Sequence, residues 1–238
     1  MEAEIFSLSS LIQKTKKCFG SRNQILVLHT IFQKTATMPI NKILILFFHP
    51  LFEKSCANKS LVKNIPVSKN ITFHDLYEEY PDFDIDVKRE QQLLTNHDII
   101  IWHHPLYWYN CPPLMKQWID MVLEYGWAYG KKGETLKGKI IFQVITTGGD
   151  RESFCETGYD RYRIVNLLEP FHQTAKMCNM RYLPPFVVHG TYKLKREDCD
   201  KNGEVYGRFL DYLEKNNLET AEISSYEYMN DWFSTKQN

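Results

Sequence analysis

Three consecutive aromatic residues, Tyr107, Trp108 and Tyr109, separate an apolar segment from a pair of prolines. Aromatic side chains present flat apolar faces that stack on flat ligands. A loop at the end of a strand rarely needs three such rings for its own fold. We therefore interpret them as the cover of a planar ring system, with packing in the core or against another chain as the alternative.

A second segment, HPLFEKSCAN at residues 49–58, carries groups suited to an anion. Ser55 stands where a helix is expected to begin, and a helix N-terminus offers a hydroxyl and free N–H groups to a phosphate. The segment has neither a Walker-type sequence nor GxGxxG, which disfavours a nucleoside triphosphate or a Rossmann-type dinucleotide. A single phosphate held by neutral donors fits better, and a simple N-cap serine is the alternative.

The third segment is TTGGD at residues 146–150. Paired glycines at the end of a strand let the backbone approach a ligand closely and expose N–H groups. A tight turn would have the same sequence. On its own this motif is weak, so its interpretation depends on where the other two segments lie.

Histidines and cysteines give no metal signature. His103 and His104 are adjacent, and adjacent residues of a strand point to opposite faces, so a metal pair is disfavoured and no metal is expected. The six cysteines are scattered without a CxxC motif, which indicates reduced thiols in a cytoplasmic protein. We interpret Cys56 and Cys111 as small packing thiols, with a redox sensor as the alternative.

The elements that position these segments alternate along the chain. Strands are expected at 42–48, 71–77, 98–102, 137–146 and 181–190, and helices at 56–63, 86–94, 114–126, 161–179 and 205–216. Pro112 and Pro113 suit the start of the third helix, and Pro170 should kink or divide the fourth. The second strand is the more polar and is expected at an edge of the sheet.

Five strands separated by helices need crossover connections, which predicts an α/β three-layer sandwich with a parallel sheet covered on both faces. The common five-stranded order is 2-1-3-4-5, and ligands bind at the carboxyl ends of the strands where that order reverses. All three segments follow strands and so share this edge. Together they predict a pocket shaped for FMN, with a phosphate end, an aromatic floor and a backbone-amide rim.

The whole-chain composition restricts the possible partners. Lys plus Arg and Asp plus Glu both number 29, so the 238-residue chain has no net charge and nucleic acid is not an expected partner. No apolar run approaches the roughly 18 residues of a membrane-spanning helix. These observations favour a cytoplasmic globular protein.

The two ends differ from the middle, and we expect three parts: an N-terminal extension at 1–37, one domain at 38–216 and a tail at 217–238. The extension is basic and is interpreted as poorly ordered or preceding an internal start, with a targeting peptide as the alternative. The tail is acidic and aromatic and has no evident packing partner. Neither its role nor that of the extension follows from the sequence.

The order and spacing of the motifs resemble the flavodoxin-like NAD(P)H:quinone oxidoreductases, most closely the bacterial ancillary proteins of glutathione-gated potassium efflux systems. The resemblance covers about residues 42–216 and excludes both ends. The matching residues are His49, Pro50 and SxAN at 55–58, DLYEEYPDFDID at 75–86, DIIIWxHPxxWYxxPPLxKxWxD at 98–120, GWAYG at 126–130, TTGG at 146–149 and LPPF at 183–186.

This resemblance implies a flavodoxin-like fold, a homodimer and a bound flavin, FMN or alternatively FAD. The residues it assigns to the phosphate side are His49, Ser55, Cys56, Ala57 and Asn58; those along the ring are Leu106, Tyr107, Trp108 and Tyr109; those at the flavin edge are Thr146, Thr147, Gly148 and Gly149. Trp127 and Tyr129 would lie beside or across the dimer interface, or would simply pack there.

The implied activity is that of an NAD(P)H:quinone oxidoreductase. NAD(P)H would deliver hydride to the flavin and leave, and a quinone-like acceptor would then take both electrons. Phe154 and Tyr159 stand where better-studied relatives place a tyrosine and a histidine that relay charge, so no side chain is assigned as catalytic. The alternatives are a regulatory subunit that contacts a membrane potassium antiporter and, ranked last, a one-electron carrier.

Overall fold

The computed structural model describes residues 40–237, in which six parallel strands form one sheet. The strands are β1 (Ile43–Phe47), β2 (Ile71–Asp75), β3 (Ile99–Pro105), β4 (Ile140–Thr146), β5 (Arg181–Tyr182) and β6 (Phe186–Val188). Their order is β2-β1-β3-β4-β5, with β6 also paired to β4. The predicted order 2-1-3-4-5 is therefore confirmed, as is the edge position of β2.

Helices cover both faces of the sheet. Within the same residues they are α1 (Cys56–Lys63), α2 (Leu76–Glu79), α3 (Val87–Asn96), α4 (Pro113–Val122), α5 (Ile164–Leu167), α6 (Glu169–Met177), α7 (Arg196–Lys215), α8 (Thr220–Ile223) and α9 (Met229–Thr235). Every residue of β1, β3 and β4 is buried, as continuous apolar runs in a two-faced parallel sheet require. Two apolar cores result, one containing α4 and α6 and the other containing α1 and α7. None of these helices is long and apolar enough to cross a membrane.

Proline and glycine explain where the structure departs from the sequence prediction. The expected strand 181–190 is two strands, because Pro184 and Pro185 lie between β5 and β6 rather than at the start of one strand. The expected helix 161–179 is divided into α5 and α6 just before Pro170. The last predicted helix begins at Arg196, nine residues earlier than expected, because Gly203 lies inside α7 rather than before it; Gly207 lies inside both the predicted and the observed helix.

Those two glycines let α7 pack very closely on α1. A Cβ at Gly203 would lie 2.4 Å from the Ser60 hydroxyl, and one at Gly207 would lie 2.5 Å from the Asn64 carbonyl oxygen. Only a residue without a side chain fits at this separation. The glycines are therefore packing positions, and they set the distance between the two helices.

The tail beyond residue 216 has a packing partner that its sequence did not reveal. Ile223, Met229, Trp232 and Phe233 are buried in the same core as α7. The Asn230 side chain accepts a hydrogen bond from the N–H of Val187 at 2.8 Å and donates one to its carbonyl at 3.1 Å. The tail thus binds along β6. The expectation for residues 1–37 lies outside the described residues.

Candidate functional site

The three segments meet at the carboxyl edge of the sheet, where they line two adjoining cavities of about 290 and 630 Å³. The smaller lies over the start of α1 and the larger lies over the aromatic loop. Four residues line both cavities, namely Leu106, Tyr107, Gly148 and Tyr192. The site is therefore elongated, with a polar end and an aromatic end.

The polar end is built around the first turn of α1. Ser55 caps the helix by accepting the N–H of Asn58 at 3.2 Å. No carbonyl among residues 40–237 accepts the N–H of Cys56 or of Ala57, and both residues line the smaller cavity. A helix N-terminus with free N–H groups attracts anions. This end of the site can hold one phosphate.

Asn58 ties this turn to the rest of the sheet. Its amide nitrogen donates to the Ser55 hydroxyl at 2.9 Å and to the Thr146 hydroxyl at 3.0 Å. Its amide oxygen lies 3.0 Å from Nε2 of His103. Because Asn58 is buried, each of these bonds must be satisfied internally. One side chain thus joins α1, β3 and β4 beneath the site.

His49 and Lys54 set the electrostatics of the polar end. Nδ1 of His49 accepts the N–H of Leu51 at 3.2 Å, which leaves the proton of the neutral ring on Nε2. Burial lowers the pKa of His49 to about 4, so the ring is a neutral donor at physiological pH. Lys54 lines the same cavity and supplies a positive charge that the sequence interpretation, with neutral donors only, did not include.

The aromatic loop is a tight hairpin. Tyr107 and Asn110 exchange backbone hydrogen bonds of 3.0 and 2.9 Å, so Trp108 and Tyr109 are the two central residues of the turn. Both have positive φ, 48° and 61°, as a type I′ turn requires. This position usually holds Asn and Gly, and bulky residues there cost conformational energy. The Trp108 side chain is 92% exposed beside the larger cavity.

The loop after β6 holds the glycine rim, Gly148 and Gly149, in place. The N–H of Thr147 donates to Val188 at 2.9 Å, and that of Thr191 donates to Thr147 at 2.9 Å. No carbonyl within 40–237 accepts the N–H of Gly148 or Gly149. A Cβ at Gly148 would lie 2.1 Å from the Tyr192 ring, so glycine is needed for this ring to lie across the rim. The rim therefore offers two free backbone donors beside an aromatic cover.

All thirteen residues predicted for the site line one cavity or both. The smaller cavity contains His49, Ser55, Cys56, Ala57, Asn58, Leu106, Tyr107, Thr146 and Gly148, and the larger contains Leu106, Tyr107, Trp108, Tyr109, Thr147, Gly148 and Gly149. Phe154 and Tyr159 also line the larger cavity. Trp127 and Tyr129 do not; they pack, partly buried, against the core.

The sequence interpretation missed several lining residues: Leu51, Lys54, Pro105, Thr191 and Tyr192 in the smaller cavity, and Ser153 and Asp160 in the larger. Thr191 and Tyr192 follow β6, whose carboxyl end lies at the same edge as the other loops. The signal was available, because any loop after a parallel strand reaches this edge. Thr191 and Tyr192 were missed because they form no recognisable motif, although the expected strand ending at Gly190 already placed them at this edge.

The two adjacent histidines are structural. His103 bonds to Asn58 on the α1 face, whereas His104 bonds to the Pro105 carbonyl at 2.9 Å and to Gln143 at 3.0 Å on the other. Within the described part of the chain, no cluster of His, Cys, Asp and Glu side chains is arranged to hold a metal ion.

The sequence of the chain matches a known protein family. A family model described as a flavodoxin-like fold matches residues 41–210. The match extends over more than half of the chain, so the protein belongs to this flavodoxin-like family. The sequence resemblance and the fold it implied are both confirmed.

The chain is also similar in sequence or structure to individual proteins. The chain is 43% identical over 158 residues to the glutathione-regulated potassium-efflux system ancillary protein KefG of Serratia proteamaculans, a match that covers 66% of this chain and 86% of that protein. General stress protein 14 of Treponema denticola, solved in complex with FMN, is 40% identical with a TM-score of 0.68 over 71% of this chain and 98% of its own. An NADPH-quinone reductase from P. pentosaceus is 30% identical with a TM-score of 0.65 over 74% and 99%.

Proposed function

We propose that this protein binds FMN at the carboxyl edge of its sheet and acts as an NAD(P)H oxidoreductase that passes hydride to a quinone-like acceptor. The observation that carries the proposal is the pair of adjoining cavities, one with free N–H groups at a helix start and one lined by aromatic rings. A phosphate and a planar ring are the two ends of FMN. The FMN complex of a 40% identical protein and the NADPH-quinone reductase support it.

Each part of the site has a distinct role in this proposal. Cys56 and Ala57 would donate backbone N–H groups to the phosphate, and His49 and Lys54 would add side-chain donors. Leu106 and the aromatic hairpin would hold the flat ring, and the free N–H groups of Gly148 and Gly149 would bind polar atoms at its edge. When bound, the flavin supplies the redox chemistry.

The residues around the larger cavity orient substrates. Trp108 and Tyr159 are 92% and 90% exposed, so flat substrates can reach their faces. Phe154 carries no proton to exchange, and Tyr109 is engaged with Asp160 at 3.0 Å. Asp160 and the hydrogen bond together raise the pKa of Tyr109, which keeps its phenol neutral. We assign no side chain as an obligatory acid or base.

Visible spectroscopy tests the proposal directly. Purified protein should take up FMN and show its absorbance, NADPH should bleach that absorbance under anaerobic conditions, and a quinone such as menadione should restore it. Asn58→Ala should weaken FMN binding at least tenfold because it releases the first turn of α1, whereas Asn96→Ala at the exposed end of α3 should not. Mass analysis of the released flavin distinguishes FMN from FAD. A protein that takes up neither flavin contradicts the proposal.

A regulatory role is the second candidate, favoured by the 43% identity to KefG, which is named as an ancillary protein of a potassium-efflux system. The chain would then bind a membrane antiporter peripherally from the cytoplasm. This role is compatible with the enzyme activity. Co-purification with an antiporter from detergent-solubilised membranes would support it, and its absence would leave the enzyme as the sole proposal.

We also propose that the chain forms a homodimer.

A further inference from the structure

Two cysteines stand at matching positions of α1 and α7, the helix pair that Gly203 and Gly207 bring close together. Ser60 of α1 lies opposite Gly203 of α7, and Asn64 lies opposite Gly207. On each helix the two contact residues are four positions apart, so the contacts recur once per turn. One turn earlier on both helices stand Cys56 and Cys199, so the same alignment places the two thiols together.

The contacts agree with this alignment. The Cys56 thiol contributes, after burial, to the raised pKa of Cys199, as a neighbouring thiol would. One residue further along α7, Asp200 accepts a hydrogen bond from the Ser60 hydroxyl at 3.4 Å. The glycines hold the two backbones closer than side-chain-bearing residues would allow. A disulfide needs Cα atoms about 4.4–6.8 Å apart, a separation that only closely packed elements provide.

The two thiols differ in accessibility. Cys56 is exposed at the first residue of α1, whereas Cys199 is buried with 1% of its surface accessible. The other described cysteines, Cys111, Cys155 and Cys178, are also free. An exposed thiol aligned with a buried one on the neighbouring helix suits an attacking and a resolving cysteine.

We propose that Cys56 and Cys199 form a reversible disulfide that joins the first turn of α1 to α7. The oxidant is a low-molecular-weight disulfide such as glutathione disulfide. The Cys56 sulfur bonds to one sulfur of the oxidant while the other leaves as a thiol; the Cys199 sulfur then displaces the second. The two protein thiols lose two electrons and two protons, and the oxidant becomes two thiols.

The order of the steps follows from burial. Burial, with the neighbouring Cys56 thiol as a smaller cause, raises the pKa of Cys199 to about 12. Since the thiolate is the attacking form, Cys56 reacts first and the closure by Cys199 is the slow step. Closure should accelerate as the pH rises, because more of Cys199 is then ionised.

The bond would act on the candidate flavin site, a consequence that depends on the proposed function. Cys56 lines the smaller cavity, and its N–H is one of the free donors there. Two sulfurs in a disulfide are about 2.05 Å apart, well inside any non-bonded contact, so oxidation draws this turn toward α7. We expect the oxidised protein to bind FMN at least threefold more weakly. By linkage, FMN should disfavour oxidation by the same factor.

The test treats the full chain with glutathione disulfide, blocks the remaining thiols and maps the peptides by mass spectrometry. The expected result is a peptide pair joined through Cys56 and Cys199, with an intact mass lower by two hydrogens. Cys199→Ala should instead retain glutathione on Cys56 and, when reduced, bind FMN as the unmodified protein does. Cys178→Ala, which removes a buried thiol elsewhere, should still form the bond.

Two outcomes overturn the proposal: glutathione retained on Cys56 in the unmodified protein, or a bond from Cys56 to a different cysteine. The mass measurement needs no flavin, so it stands even if the protein fails to bind FMN. If Cys199→Ala does not fold, Cys56→Ser at the exposed position should remove the bond while Cys199 stays unmodified. The FMN titration then tests only whether the bond affects the site.

Discussion

At the scale of single residues, the buried histidines below the site are neutral because burial disfavours the charged imidazole, and the hydrogen bonds of His104 suit its neutral ring. Nδ1 of His104 donates to the Pro105 carbonyl, and Nε2 accepts from the Gln143 amide, whose oxygen accepts from Tyr182. Nε2 of His103 donates to Asn58. A second proton on His104 would face an N–H group. Burial lowers the pKa of His104 to about 4 and that of His103 well below its usual range.

This arrangement predicts that stability falls with acid. The unfolded chain protonates His104 near pH 6.5, whereas the folded protein does not until about pH 4, so stability present above pH 6.5 is lost as the pH falls toward 4. The lowered pKa of His103 adds a loss of the same sign. His104 alone should lose about 2 kcal/mol at pH 5. Urea unfolding at pH 7.5, 6 and 5 measures this loss. His104→Gln should reduce the slope, and a midpoint that does not change with pH would contradict the prediction.

The place of a site residue could be predicted from the sequence where that residue follows the end of a strand. Ser55 and the pair Gly148 and Gly149 follow continuous apolar runs, so their position at one edge could be derived. The network through Asn58 could not, because it joins three elements that are far apart in sequence. Nor could the pairing of Cys56 with Cys199, which depends on how closely two helices pack.

At the scale of elements, local sequence signals predicted which strands and helices of the sheet domain exist more accurately than where each one begins and ends. The order of the sheet followed from alternating strands and helices. The division of β5 from β6 and the early start of α7 did not follow, because tertiary packing decides whether a proline interrupts a strand and whether a glycine is tolerated inside a helix. The tail was missed for a related reason, since α8 and α9 are too short for a clear period.

The buried tail predicts a large effect of a single substitution. Trp232 is only 2% exposed, and its ring packs against Tyr212 of α7 with centroids 5.6 Å apart. Trp232→Ala should lower the free energy of unfolding by about 3–5 kcal/mol because it leaves a cavity in this core. Chemical denaturation measures the change. Tyr159→Ala, at a ring that is 90% exposed, should change stability by less than about 0.5 kcal/mol.

At the scale of the whole molecule, an apolar groove lies beside the aromatic hairpin. A groove of about 470 Å³ runs between α4 and α6, lined by Trp108, Pro113, Ile119 and Phe171 among others. Met177 on α6, three residues after the groove-lining Thr174, is 63% exposed. Exposed apolar surface beside a groove can mark an interface. It supports the proposed homodimer and places the candidate interface next to the ring side of the site.

The dimer prediction can be tested by light scattering after gel filtration. The protein should have twice the 28.2 kDa mass of one chain. Met177→Lys should shift the equilibrium toward the monomer because it places a charge beside the apolar groove. Lys201→Ala, at an exposed position on α7 over the opposite core, serves as the control and should leave the mass unchanged. A monomeric unmodified protein at micromolar concentration would rule the dimer out.

The two hydrogen bonds between the Asn230 side chain and the Val187 backbone have a consequence for solubility. β6 pairs with β4 on one side, and its other side would present a free N–H and carbonyl to any passing strand. The asparagine amide has the same donor and acceptor as a peptide group, and it occupies both positions. It therefore blocks edge-to-edge aggregation without adding a strand, at the end of the sheet nearest the candidate site.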